Sequence, residues 1–412
     1  MTAATLPPPR IATLDIVRGA AVMGILGMNA VAFAMPAPAY FNPAAYGGAE
    51  GIELVAWTFG FVFIDGKMRG LFSLLFGASL LLITDAAEAQ GRSPAAAHYV
   101  RILWLGLFGA IHYYLVWWGD ILLHYALVGL VAYLFRRLPL HGLVIAAGLL
   151  LLYDLLIMIE LSWLGVTLSD AADPDSVRLW RTLLSELSPL SRADLAADLA
   201  VHRGSFGEIA AHRLAEDAWA PFKYLPLGGP ETLGLMLLGM AGLRSGFLAG
   251  TWDLELYRRI ALWCILFGAA GFAVGAAVQI RSAFDPGTVY VVLWGGTVLF
   301  RIPMVVGYAA LAILLARRGG LLVDRIAAAG RMAFSNYLGT SLVMTFIFYG
   351  WGLGLYGSIG RAALWPLIFA LWALMLLWSK PWLERFRYGP FEWLWRSLSR
   401  GRLQPMRTSR PA

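Results

Sequence analysis

His112, Asp120 and His124 lie within one short stretch and have the types and spacing that general-base catalysis needs. A carboxylate beside an imidazole fixes its tautomer and raises its basicity. The same set can relay protons or bind a metal, although His and Asp alone make weak metal spacing. A second group, Asp65, Lys67 and Arg69, embeds charges in an otherwise apolar run. At helical spacing Asp65 and Arg69 are i,i+4 neighbours able to pair, and Lys67 and Arg69 suit phosphate or carboxylate groups. Asp15 and Arg18, at i,i+3, make another local pair near the start of the chain, and Asn29 lies three turns further along. Arg301 sits inside an apolar stretch just ahead of Pro303; Asp154 is one candidate counter-ion, and Glu160 and Glu53 lie nearer the outer surface. The bland alternatives are that the Asp65 group neutralises itself around a helix break at Gly66, and that each imidazole is a satisfied core residue.

Positioning these groups falls to membrane helices. The chain has 412 residues, is 59% hydrophobic and only 14% charged, and has a mean hydropathy of +0.69. Soluble domains carry roughly 25% charged residues. Apolar runs longer than about 18 residues recur from end to end, so the reading is an all-α, polytopic integral membrane bundle embedded in a lipid bilayer. The net charge of +7 comes from Lys and Arg in short loops, as the positive-inside rule requires, and calls for no nucleic-acid partner. Cys264, the single cysteine, excludes a disulfide within the chain and a cysteine-based metal site. The start imitates a signal peptide, with Arg10, an apolar stretch and Ala32-Phe33-Ala34, but Asp15, Arg18 and Asn29 interrupt it, so we expect a retained first span.

Loop charges order the spans. The first runs from about Ile11 to Met35, and the following Pro-rich segment lacks Lys and Arg, which places it outside. Residues 52–84, longer than one ~30 Å hydrocarbon core requires, read as a single tilted or broken span. Further spans follow at about 98–117, 119–135, 142–166, 232–247, 257–280, 289–316, 332–350 and 362–379. This makes about ten helices with both termini cytoplasmic in a bacterial inner membrane. Residues 1–166 form an N-terminal membrane bundle, 167–231 an extracytoplasmic loop of amphipathic helices, 232–398 a C-terminal membrane domain, and 399–412 a basic tail. Clustered Trp and Tyr, as at Tyr113-Tyr114 and Trp117-Trp118, read as an interfacial belt.

Several motifs carry a resemblance. The opening Arg10-Ile11, Leu14-Asp15, Arg18-Gly19-Ala20, Gly24-Ile25-Leu26 and Asn29, then Phe72 to Gly77, and Trp118-Gly119-Asp120-Ile121-Leu122 resemble the YeiB-type bacterial inner-membrane proteins. Gly330-Arg331-Met332-Ala333, Ser335-Asn336-Tyr337-Leu338 and Gly389-Pro390 with Glu392-Trp393 resemble that family's C-terminal domain of unknown function, in a family labelled as transporters. The Leu-Asp-x-x-Arg-Gly start is more distantly similar to transmembrane acyltransferases, both the family-3 enzymes and the heparan-glucosaminide N-acetyltransferases. That similarity implies acyl transfer from cytoplasmic acyl-CoA to an extracytoplasmic or lipid-linked acceptor, a lipid or a sugar, with no tightly bound cofactor. Family-3 enzymes carry a catalytic His where this chain has Asn29, so the role passes to His112 or His124. On this reading Asp120 orients His112, Asn29 steadies the oxyanion, and Asp15, Arg18, Asp65, Lys67, Arg69, Arg301, Arg331 and Asn336 bind substrate. A transporter or exporter of a small or lipidic anion and a non-catalytic membrane scaffold are the alternatives.

Overall fold

Backbone in hydrocarbon must satisfy its own hydrogen bonds, and an apolar chain does this as helices. The computed structural model describes residues 11–408; Arg10 and the last four residues of the basic tail, Arg410 among them, lie outside the described residues. Within that range there are helices and no strand. In chain order they are α1 (Ala12–Ala34), the short α2 (Pro38–Phe41), α3 (Gly51–Phe63), α4 (Lys67–Ala89), α5 (Pro94–Ile111), α6 (Leu122–Ala132) and α7 (Leu140–Ser169). Four helices of the long loop follow: α8 (Pro174–Leu184), α9 (Arg192–His202), α10 (Phe206–Glu216) and α11 (Ala220–Lys223). The rest are α12 (Leu225–Arg244), α13 (Leu254–Arg281), α14 (Pro286–Val291), α15 (Val298–Arg318), α16 (Leu321–Arg331), α17 (Ala333–Phe348), α18 (Leu364–Arg385) and α19 (Pro390–Ser399).

Each of the ten stretches read as a span holds a helix. Seven are long and apolar enough to cross a membrane, Leu122–Phe135 and Ala333–Phe348 are shorter apolar helices, and α12 is the tenth. Burial ranks them. In α1 67% of the most apolar window is buried against 22% in α7 and in α13, so α1 is central and the other two face lipid.

Two spans are broken. Residues 64–66 separate α3 from α4, with Gly66 at φ +70°, a conformation that favours glycine. The break sits at mid-depth: Gly66 N–H approaches the Met28 sulfur at 3.4 Å, and Met68 packs on Gly24, near the middle of α1. A π-helical turn at Val292–Gly296 likewise interrupts the stretch before α15.

Where α4 crosses α12, Gly77 and Gly239 let the backbones touch: a Cβ on Gly77 would strike the Met236 carbonyl, and one on Gly239 the Leu74 carbonyl. The hydrophobic clusters draw on both ends of the chain; one joins Val22 and Leu80 to Met236 and Phe334. We call the face where α1 begins the near face and the opposite one the far face.

On the near face, Arg136 and Arg244 satisfy or neutralise exposed helix ends: Arg136 pairs with Glu88 at 3.2 Å, and Arg244 donates to the Arg136 carbonyl at 2.6 Å. On the far face, the loop helices lie over the ends of α5 and α17. Arg213 of α10 is buried and donates to the Tyr113 carbonyl at 3.0 Å, while Arg203 donates to the Tyr356 carbonyl.

Candidate functional site

The end of α5 unwinds into a π-helical turn, His112–Val116, and the chain reverses before α6. Such turns recur at functional sites. Here the turn sets the His112 ring beside Asp120, with Nδ1 2.8 Å from Oδ1, both side chains fully enclosed. The other Asp120 oxygen accepts the Leu123 N–H at 2.7 Å, so the first turn of α6 locks the carboxylate. With Nδ1–H donated to Asp120, Nε2 carries the lone pair. That atom is buried and has no hydrogen-bond partner among the described residues.

Tyr337 packs against the His112 ring at 5.2 Å and accepts the Ile121 N–H. It also lines a narrow crevice of about 10 Å³ between α1 and α17, which includes Val22, Asn29 and Phe33. Asn29 and the dyad thus share Tyr337 as a wall. His124 belongs elsewhere: its Nε2 meets the Thr232 hydroxyl at 2.9 Å, so the two imidazoles do not converge and the metal alternative loses a ligand. No group of three or more His, Cys, Asp or Glu able to hold a metal occurs among the described residues.

The second polar centre lies at the α3–α4 break. Glu231, which the sequence places at the end of the long loop, is on α12 and 3% exposed. Its carboxylate takes Arg69 Nη2 at 2.5 Å and Arg301 Nη1 at 3.0 Å on each oxygen. Two expectations are corrected here. Arg69 pairs with Glu231 and not with Asp65, because the break at Gly66 takes Asp65 off the helical repeat; Asp65 instead accepts the Tyr40 hydroxyl at 3.0 Å. Arg301 pairs with Glu231 and not with Asp154, which is buried on α7 and makes no ion pair among the described residues.

Lys67 is fully buried; its ammonium donates to the Phe61 carbonyl at 2.5 Å and stands over the Phe272 ring. A side chain at position 66 would meet Arg301 Nε at 2.9 Å, so glycine there also makes room for the guanidinium.

Arg18 is far from this centre. It reaches Ser79 at 3.0 Å and Asp15 at 3.5 Å, ten residues along α4 from Arg69, or roughly 15 Å. The expected single cation grip of Arg18, Lys67, Arg69 and Arg331 is therefore two separate groups. Arg18 instead neighbours Arg101, Arg396 and Arg400 on the near face. Arg101 stacks on Trp395 at 4.2 Å and makes no ion pair among the described residues. Burial, with the like charges of Arg400 and Arg18, holds the Arg396 guanidinium below its ordinary value against the pull of Tyr388 and Glu392. Arg331 ends α16 on the same face.

Asn336, expected to bind substrate, is spent on packing: it donates to the Ala329 carbonyl and Ser379 hydroxyl and accepts the Trp378 indole N–H. Residues that sequence reasoning missed are Glu231, Tyr40, Arg101, Arg396 and Tyr337 as wall of the crevice. Only Glu231 carried a signal, an acid at the edge of an apolar run.

Residues 243–402 match a family described as a protein of unknown function (DUF418). That match includes Arg301, Tyr337 and Arg396, whereas His112, Asp120 and Glu231 lie ahead of it. Over nearly its whole length the chain is 34% identical to the uncharacterized protein YeiB of Escherichia coli (strain K12), covering 95% of this chain and 96% of the relative. The chain belongs to the YeiB family. It is also 31% identical to the uncharacterized protein YxaH of Bacillus subtilis (strain 168), over 98% of this chain and 97% of that protein. No solved structure matches it.

Proposed function

We propose that this protein is a membrane-embedded acyltransferase of the bacterial inner membrane, with its near face cytoplasmic. The single observation that carries the reading is the His112 imidazole, fixed through Nδ1 on Asp120 while Nε2 is left buried and unpartnered. Such an atom is ready to take a proton from an acceptor hydroxyl or amine. As the proton moves to Nε2, the acceptor oxygen or nitrogen bonds to the acyl carbon. The carbon–sulfur bond of the thioester then breaks, and the imidazolium returns the proton to the leaving thiolate. Asp120 stays ionised throughout and stabilises the imidazolium. Asn29 supplies an amide donor for the developing oxyanion.

The donor is acyl-CoA, held on the cytoplasmic face by Arg18, Arg101, Arg396 and Arg400, whose guanidinium groups suit phosphates. Val22 lies one helical turn beyond Arg18, so the crevice begins where that cluster ends and follows α1 toward Tyr337.

The test is release of CoA thiol from acetyl-CoA by purified protein in proteoliposomes made from bacterial lipids. His112→Ala abolishes it, and Asp120→Asn lowers kcat by about 10²–10⁴, the usual worth of a positioned base. Either variant retaining full acyl transfer removes the mechanism. One observation favours a second reading, export of a small or lipidic anion: the Arg69–Glu231–Arg301 network at mid-depth, where buried charge commonly marks a translocation path. Substrate movement by reconstituted protein without acyl-CoA supports export over transfer.

A further inference from the structure

A half-open cavity of about 60 Å³ lies on the far-face side of the α3–α4 break, between α1, α2, α3 and α18. Small residues keep it open: Gly27 and Ala30 on α1 face Ala56 and Gly60 on α3, and nothing lies within 4 Å of where a Cβ on Gly60 would be. Trp57 and Trp365 add aromatic wall. Beside it, the α3 stripe Ile52, Val55, Phe59 and Phe63 is exposed, and Phe59 meets Trp365 edge-on at 5.2 Å. The cavity therefore opens next to lipid-facing surface.

Its polar groups are few and placed at different depths. Asp65 and Tyr40 line it at mid-depth and satisfy each other. Arg361 lines it from the far-face segment ahead of α18 and is only 4% exposed. One nitrogen of Arg361 donates to the Ala39 carbonyl at 2.8 Å, but Nε is buried without a partner and the side chain makes no ion pair among the described residues. Burial pushes its guanidinium down to about 10, against the attraction of Glu53. Glu53 is engaged elsewhere, accepting the Ala362 N–H at 2.7 Å. Arg361 thus has an acid in its neighbourhood but makes no ion pair among the described residues, and an anion in the cavity gives the guanidinium and its unpartnered Nε a direct partner. An apolar void open to hydrocarbon also forfeits dispersion contacts unless a chain fills it.

We propose that this cavity seats one acyl chain of an anionic phospholipid from the far-face leaflet, with the lipid phosphate held by Arg361. The site is separate from the His112 dyad, and its occupancy does not depend on acyl transfer. Full-length protein in detergent is titrated with phosphatidylglycerol or phosphatidylcholine, and bound lipid is counted by native mass spectrometry. Wild type retains one phosphatidylglycerol about tenfold more tightly than phosphatidylcholine, a preference of roughly 1.4 kcal/mol. Arg361→Gln erases the preference and Arg361→Lys keeps part of it. Gly60→Phe, whose ring enters the open space, lowers binding of both lipids, with retained thermal unfolding showing that it folds. His112→Ala changes neither lipid. Equal binding of the two lipids by wild type, or undiminished binding by folded Gly60→Phe, overturns the proposal.

Discussion

Replacing Glu231 with glutamine tests whether the network at the helix break is a compensated charge cluster. The carboxylate is 3% exposed and anchors two guanidinium groups through contacts of 2.5, 3.0 and 3.0 Å. Glutamine keeps the shape but offers one acceptor oxygen and turns an N–H₂ toward a cation. Removing one partner of a buried pair typically costs about 3–5 kcal/mol, because the remaining charge stays buried. An unfolding entropy near 2.1 cal/mol/K per residue gives about 0.9 kcal/mol/K for 412 residues, so Tm falls by about 3–6 °C.

The assay is intrinsic fluorescence during heating of detergent-purified protein, for which the 17 tryptophans are ample signal. Glu231→Asp keeps the charge but shortens the reach, and falls between wild type and Glu231→Gln. The triple replacement Arg69→Met, Glu231→Met and Arg301→Met removes every charge together and recovers most of the loss, since apolar packing can replace a buried ionic group at little cost. A Tm for Glu231→Gln within about 1 °C of wild type, or a triple variant less stable than the single one, refutes the reasoning.

Three further outcomes follow from geometry elsewhere. Gly77→Ala and Gly239→Ala each push a methyl group into a facing backbone carbonyl and cost about 1–3 kcal/mol; the double variant loses less than the sum, because one separation of α4 from α12 relieves both clashes. Unfolding scans of the four proteins decide it. Glu392 caps the first turn of α17 through the Phe334 and Ser335 N–H groups, and burial raises its carboxyl above the ordinary 4.5 against those bonds. A carboxyl with a raised folded value binds its proton more tightly in the native state. Its stabilising contribution is therefore full below pH 4.5 and declines as pH rises through the folded value. Exchange protection of residues 390–399, corrected for intrinsic rates, then falls from mildly acidic to neutral pH, and protection rising with pH contradicts it. In a Cys264→Ser background, Glu216→Cys and Arg402→Cys place exposed thiols on opposite faces. An impermeant maleimide labels the first in spheroplasts and the second only in inverted vesicles; labelling of both from one side removes the proposed orientation.

What was legible in the sequence follows from which interactions are local. Apolar runs could only be helices in lipid, so all ten positions were readable. The His112–Asp120 dyad was readable because the two residues are separated by one tight reversal, and a hairpin can scarcely keep them apart. Spacing failed where it assumed an unbroken repeat: Asp65 and Arg69 are four residues apart, but Gly66 at φ +70° ends the helix between them. Glu231 was hidden by Gly228-Gly229-Pro230, which reads as the end of a loop, whereas α12 already starts at Leu225 and contains Pro230. The Arg101–Trp395 contact was illegible for another reason. It joins α5 to α19 across most of the chain, and no local pattern encodes a tertiary pairing.

The central helix connects these results. On α1, Val22, Ile25, Leu26, Asn29 and Phe33 recur at i, i+3, i+4, i+7 and i+11, a single stripe, and all line the crevice toward Tyr337. Gly27, Ala30 and Val31 form another stripe of the same periodicity and line the cavity that holds Asp65 and Arg361. At 3.6 residues per turn the two stripes lie on opposite sides of the helix. One buried helix is thus the common wall of two spaces that differ in every chemical respect. The crevice is narrow and walled by Tyr337, which packs on the His112 ring, while the cavity is lined by small residues and aromatic rings and holds Arg361, which makes no ion pair among the described residues. Nothing in packing alone requires a central helix to be polar on one side at Asn29 and small on the other at Gly27 and Ala30. Both departures from uniform apolar packing make sense together if α1 separates a reaction path from a lipid seat, so that each can be altered from its own side of the helix without disturbing the other.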